Sequence, residues 1–331
     1  MTGKTEGPAL AVVVVTRDSF RTLRPIVASL AHQTIASAIE LVVAAPDAEA
    51  GAIPADAGAA FHSCRTVGVG PVSNRGRAAA AGVVAARAPV VALTENHCFP
   101  VADWAERSLE AHAEGWVAVG PSVENANPAS AFSRVLHAAG YGTFPADSLP
   151  EERDELPLHN SSYRADALAS YGAGLDELLA DERRLQSALR RDGEKLFFFP
   201  AARKRHINEA TLGLLLGLAF DGGRRYGGGR ARDWSRGRRV AYGVLSPALT
   251  VPIARNVVGK LRDAGSGDAS SMLVAWIWAL GHALGEGTAY LGNEAEEFPF
   301  TEDDEFMIRQ RLGRRSVDDP EIAAWLQLLD R

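Results

Sequence analysis

The chain has 331 residues, is 47% hydrophobic and carries a formal net charge of −6. That length fills one large domain or two modest ones, and the acidic balance, with no aromatic-basic patch or zinc-finger spacing, argues against a nucleic-acid partner. Two cysteines, Cys64 and Cys98, cannot build a disulfide framework, and the first apolar run is too short for a signal peptide. The expectation is a cytoplasmic protein.

Taken in order, Leu10 to Val15 is a continuous β-branched run, the pattern of a strand covered on both faces. Ser19 is placed to N-cap a helix reaching Gln33, with Leu23, Ile26, Val27 and Leu30 at helical spacing. Strands are expected at Ile39 to Ala44, Arg65 to Val69, Pro89 to Thr94 and Trp116 to Val119. Helices are expected at Asn74 to Arg87 and Ala102 to Glu114. This alternation predicts a mostly parallel, doubly wound α/β sheet, with ligands beyond the carboxyl ends of its strands. GVGPVSNRG, residues 68–76, fails the spacing of a dinucleotide-binding loop.

Further along, a helix is expected at Ala129 to Ala139, an amphipathic helix at Leu178 to Arg191 and a strand at Leu196 to Pro200, with His206 just beyond it. The composition changes near residue 209. Seven arginines lie between Arg224 and Arg239, around an expected turn at Gly227-Gly228-Gly229. Residues 240–254 are uncharged but hold two prolines. Residues 272–292 are apolar, with His282 and Glu286 inside them. Neither reads as a membrane span. Trp276, Trp278 and the arginines suit a membrane surface, at the inner face of the cell membrane. Packing against each other or across a homodimer, with the acidic stretch Glu294 to Glu305 neutralising the arginines, serves the same residues equally well.

At one strand end stands VVALTENHCFP, residues 90–100, where an apolar run stops at Glu95-Asn96-His97. Three polar side chains there suggest a ligand site; the alternative is a helix cap serving backbone N–H groups near Trp104. With VVVVTRDSF, IELVVAAPD, LDELLADERRLQSALRRDG and FFFPAARKRHIN in the same order, the chain resembles the family-two glycosyltransferases of the GT-A fold over roughly residues 10–210.

The resemblance implies a GT-A domain over residues 8–210 and a helical C-terminal region over 211–331. It implies transfer of a sugar, with inversion, from a nucleotide-diphospho-sugar donor to an acceptor hydroxyl, on a lipid-linked acceptor in some relatives. Glu95 and His97 take the positions of the family's Asp-x-Asp motif, and His206 is a further ligand of a divalent cation, Mn²⁺ or Mg²⁺. Thr16, Arg17, Asp47, Arg75, Arg77, Glu95 and Asn96 fall at donor-site positions, and Asn160 and Asp176 near the acceptor. Glu182, the second acid of the pair Asp181-Glu182, stands where the family often carries its base; acids at a helix N-terminus are also favoured for the helix alone. Ala45 and Pro46 replace acids that usually bind the nucleoside, and Ala79-Ala80 replaces an Arg-Asn pair. These departures motivate an alternative: a non-catalytic GT-A module that binds a nucleotide sugar or a protein partner. A third reading is a membrane-surface assembly protein acting through its C-terminal helices.

Overall fold

A computed structural model describes residues 7–208 and 212–292. Their chain divides into two compact units: residues 7–124 with 144–206, and residues 125–143 with 207–208 and 212–292. The second unit therefore takes the helix at Ala131–Gly140, which the sequence assigns to the first. The acidic stretch Glu294 to Glu305 lies outside the described residues.

The first unit is built on a sheet of β1 (Leu10–Val15), β2 (Ile39–Ala45), β3 (Ser63–Gly68), β4 (Val90–Leu93), β5 (Cys98–Pro100), β6 (Ala118–Asn125), β7 (Glu151–Glu152), β8 (Ser162–Arg164) and β9 (Leu196–His206). Its order is β3-β2-β1-β4-β8-β6-β9-β5, with β7 beside β9. The ladders β1–β2, β2–β3 and β1–β4 are parallel. β8 runs antiparallel to β4 and to β6, and β5 antiparallel to β9. Every residue of β1, β2 and β4 is buried, as a strand covered on both faces requires. From β1 the chain moves outward through β2 and β3, then returns to place β4 on the other side of β1. The strand order reverses there, and a crevice at the carboxyl ends is expected at that point.

The helices of this unit are α1 (Arg24–Ala31), α2 (Ala55–Gly58), α3 (Arg75–Ala85) and α4 (Trp104–Ala113), while α5 (Ala131–Gly140) belongs to the second; α6 (Ala165–Ala169), α7 (Leu175–Ala180) and α8 (Glu182–Arg191) follow in the first. The expected helix start at Ser19 is displaced. Thr16 and Thr22 donate their hydroxyls to the Ser19 carbonyl, a 3₁₀ turn follows, and Pro25 opens α1. The single helix expected over Leu178 to Arg191 is two. Asp181 leaves the helical region with φ −135° and accepts from the Arg183 N–H, ending α7 and capping α8. β9 runs six residues past Pro200, so His206 is its last residue rather than one beyond it.

The second unit is helical: α5, α9 (Leu212–Arg230), α10 (Arg236–Leu245), α11 (Thr250–Asp263) and α12 (Ala269–Leu291). The expected turn at Gly227 to Gly229 is instead the last part of α9. A Cβ on Gly223 would stand 2.0 Å from the His282 carbonyl oxygen, and one on Gly285 the same distance from that of Phe220. Close approach of α9 and α12 needs these glycines, and packing overrides their poor helix propensity.

Candidate functional site

Glu95 stands two residues past β4, just after Thr94, whose N–H still donates to the Val13 carbonyl of β1. The antiparallel register of β5 with β9 sets Cys98 opposite His206 and so brings His206, distant in sequence, to His97 and Glu95. The His97 and His206 rings meet edge to face, 4.6 Å between centroids. A carboxylate oxygen of Glu95 and ring nitrogens of His97 and His206 all lie within 4.8 Å of one another, and all three residues are buried. Asn96 Oδ1 lies 2.9 Å from His97 Nδ1 and fixes that ring. Two imidazoles and one carboxylate suit a first-row transition ion such as Mn²⁺ better than Mg²⁺, which prefers oxygen ligands.

Glu95 has further partners. Arg75, in the first turn of α3, holds Oε1 at 2.7 Å; Asn160 Nδ2 donates to Oε2 at 2.7 Å, and His206 Nε2 lies 3.2 Å from the same oxygen. Burial by itself would raise this carboxyl. Arg75, His206 and His97 outweigh it and hold the carboxyl well below the usual carboxylate range. At the start of α4 the Trp104 N–H donates to the Val101 carbonyl and the Ala105 N–H to Gln33 Oε1, each at 3.0 Å, while Asn96 Nδ2 donates to the Thr22 carbonyl at 3.5 Å.

Glu182 is 1% exposed at the start of α8. Tyr163 from β8 donates its hydroxyl to Oε1 at 2.5 Å, and the His159 N–H donates to Oε2. His159 holds a left-handed φ of 62° to do so, an uncommon conformation for a side-chain-bearing residue. Gln186, one turn along α8, donates to the Tyr163 oxygen at 3.2 Å and exchanges hydrogen bonds with the backbone of Leu156. Burial pushes the Glu182 carboxyl up to about 7, against the pull of Tyr163, His159 N–H and Arg75. Glu182, His159, Arg75 and Thr94 line one small cleft beyond β1 and β4. Gly76 lets α3 approach α7 there: a Cβ would fall 1.7 Å from the Leu179 carbonyl oxygen.

The remaining expected site residues are spread along the same strand ends. Thr16 is buried after β1, its hydroxyl bonded to Thr22 and the Ser19 carbonyl, and Arg17 beside it is half-buried. Asp47 is exposed after β2 and accepts from the Ala50 N–H. Arg77 pairs with Glu177 at the surface, and Asp176 accepts from the Glu177 N–H in the first turn of α7. Asp181 is an exposed cap. Asn160, expected beside an acceptor, is fully buried and orients Glu95. The structure thus gathers Glu95, His97, His206, Arg75 and Asn160 into one cluster. It places Glu182 on the cleft that Arg75 lines, leaves Asp47, Asp176 and Asp181 in contacts with neighbouring backbone, and pairs Arg77 of α3 with Glu177 of α7 at the surface.

Sequence reasoning missed Lys204, Tyr163 and Gln186. Lys204 is fully buried, 4.4 Å from the centroid of the Trp104 ring, and donates to Thr94 Oγ1 at 3.1 Å and Asn160 Oδ1 at 3.4 Å. Burial pulls its ammonium down to about 8, partly offset by Cys98, Glu95 and Glu182. Strict alternation along β9, with Leu196, Phe198, Pro200 and Ala202 inward, marks position 204 as inward as well. No protein-family model matches the chain, and no curated protein matches it.

Proposed function

We propose that the chain is a glycosyltransferase that moves a sugar, with inversion, from a nucleotide-diphospho-sugar to an acceptor hydroxyl. The observation that carries this reading is the meeting of Glu95, His97 and His206 beyond β4, with Glu182 buried on the adjoining cleft. Glu95, His97 and His206 would hold a divalent ion, which neutralises the donor diphosphate when bound. Arg75 adds a fixed positive charge at the same place. Glu182 takes the proton of the acceptor hydroxyl as that oxygen bonds to the anomeric carbon, and the bond from that carbon to the diphosphate oxygen breaks with its electron pair leaving on the diphosphate. A carboxyl titrating at about 7 is matched to this task at neutral pH, and Tyr163 and the His159 N–H fix its orientation.

A second reading, a binding module without turnover, draws on one observation: Arg75 already occupies Glu95 at 2.7 Å, as a built-in cation would. Thermal shift against a panel of nucleotide sugars, with and without Mn²⁺, tests both. Stabilisation by a nucleotide sugar that Mn²⁺ enhances supports the donor site. Stabilisation without any nucleotide release favours the module, and no shift with any donor rejects both.

A further inference from the structure

The solvent-facing side of α12 carries no charge. Leu273, Trp276, Leu280, Leu284 and Leu291 follow one another at helical spacing, each between 42% and 63% exposed. They form a stripe about 27 Å long at 1.5 Å per residue. α9 widens it: Leu212, Leu216 and Phe220 recur every four residues and are also exposed, and Leu216 lies against Gly281 of α12. At the other end Leu291 packs on Gly243 of α10, the helix where Arg236, Val240 and Val244 share one exposed face. An apolar patch this long on a soluble surface marks a docking site.

Charge selects the occupant. Residues 212–245, which carry α9 and α10, hold seven arginines against two acids, although the whole chain is acidic. Asp221 is buried and pairs with Arg225, and Glu286 of α12 is buried as well, so arginine remains in excess on these helices. Isologous pairing with a second copy would set this positive surface against itself. A surface that is apolar and negatively charged complements it, and an anionic bilayer is both. Among the described residues no helix is long and apolar enough to cross a membrane. We propose that the α9, α10 and α12 face of the second unit docks on an anionic bilayer, with Trp276 and the leucines in the interface and the arginines at the headgroups. This docking stands independently of the sugar-transfer reading.

The test is sedimentation of the full chain with vesicles of equal parts phosphatidylserine and phosphatidylcholine, and with vesicles of phosphatidylcholine alone. Binding is expected to the first at low ionic strength and to weaken by about 1 M salt. Leu280→Glu with Leu284→Glu should reduce it by roughly tenfold or more, since it puts charge into the apolar contact. Arg232→Ala with Arg236→Ala should weaken binding to anionic vesicles. Both pairs are exposed, so folding is expected to survive, with the melting curve as the check. Leu149→Glu, at an exposed leucine of the first unit, should change nothing. Absence of binding at low salt overturns the proposal, as does equal binding by the Leu280→Glu, Leu284→Glu variant. A dimer in sedimentation velocity that this variant dissociates, with no vesicle binding, also overturns it and assigns the face to a second copy.

Discussion

Replacing Glu182 by glutamine removes one buried ionisable group while keeping its shape. In the folded protein burial lifts that carboxyl from 4.5 to about 7. Between those values the folded chain holds a proton that the unfolded chain has lost, so stability falls as pH rises. The wild-type protein therefore keeps the contribution in full below pH ~4.5 and loses it as pH rises through ~7. Integrated between about pH 5 and about pH 8, the loss is roughly 2 to 3 kcal/mol. The substituted amide does not titrate, and the other groups are common to both proteins and cancel in the comparison. Urea unfolding of wild type and Glu182→Gln at the two pH values should therefore show the variant gaining roughly 2 to 3 kcal/mol on the wild type from the acid to the alkaline condition. A stability difference that is the same at both pH values would refute the assignment of a proton to buried Glu182. The same proton sets the expected rate profile: transfer rises as pH increases through about 7, because the base acts only once deprotonated.

Tyr163→Phe removes a hydrogen bond that favours the Glu182 carboxylate, so the rising limb of the rate profile should move to higher pH; an unmoved limb contradicts the network. Arg75→Gln leaves Glu95 buried beside a neutral group and should cost about 3 kcal/mol in denaturant unfolding. Added Mn²⁺ should recover part of that loss, since a cation replaces the guanidinium, and recovery should vanish when Glu95→Ala is combined with it. Gly223→Ala drives a methyl group at the His282 carbonyl and should cost about 2 kcal/mol, read as faster amide exchange in α9 and α12.

The parallel half of the sheet was legible because β1 and β4 read as unbroken apolar runs and β2 as one interrupted only by Glu40, all three being buried on both faces. That same reading put Glu95 at a strand end. Glu182 stood out only beside Asp181, and the break between α7 and α8 that buries one acid and exposes the other is a matter of one residue's backbone. β5 has three residues, too few for any periodic signal, yet its register with β9 is what brings His206 to His97. Asn160 and Arg75 were singled out for a ligand, and their contact with Glu95 depends on tertiary closure that spacing does not encode. The glycines of α9 read as a turn because their partners on α12 lie far along the chain.

The measurement closest to the central claim is release of nucleoside diphosphate from a panel of nucleotide sugars in the presence of Mn²⁺, for wild type, Glu95→Ala and Glu182→Gln. Sugar transfer with Glu182 as base predicts release by the wild type with at least one donor, lost on chelation. It predicts weakened donor and metal binding in Glu95→Ala. In Glu182→Gln it predicts near-normal binding with a rate lower by on the order of a hundredfold to ten-thousandfold. Wild-type release in Glu182→Gln, or no release by the wild type from any donor, would contradict it.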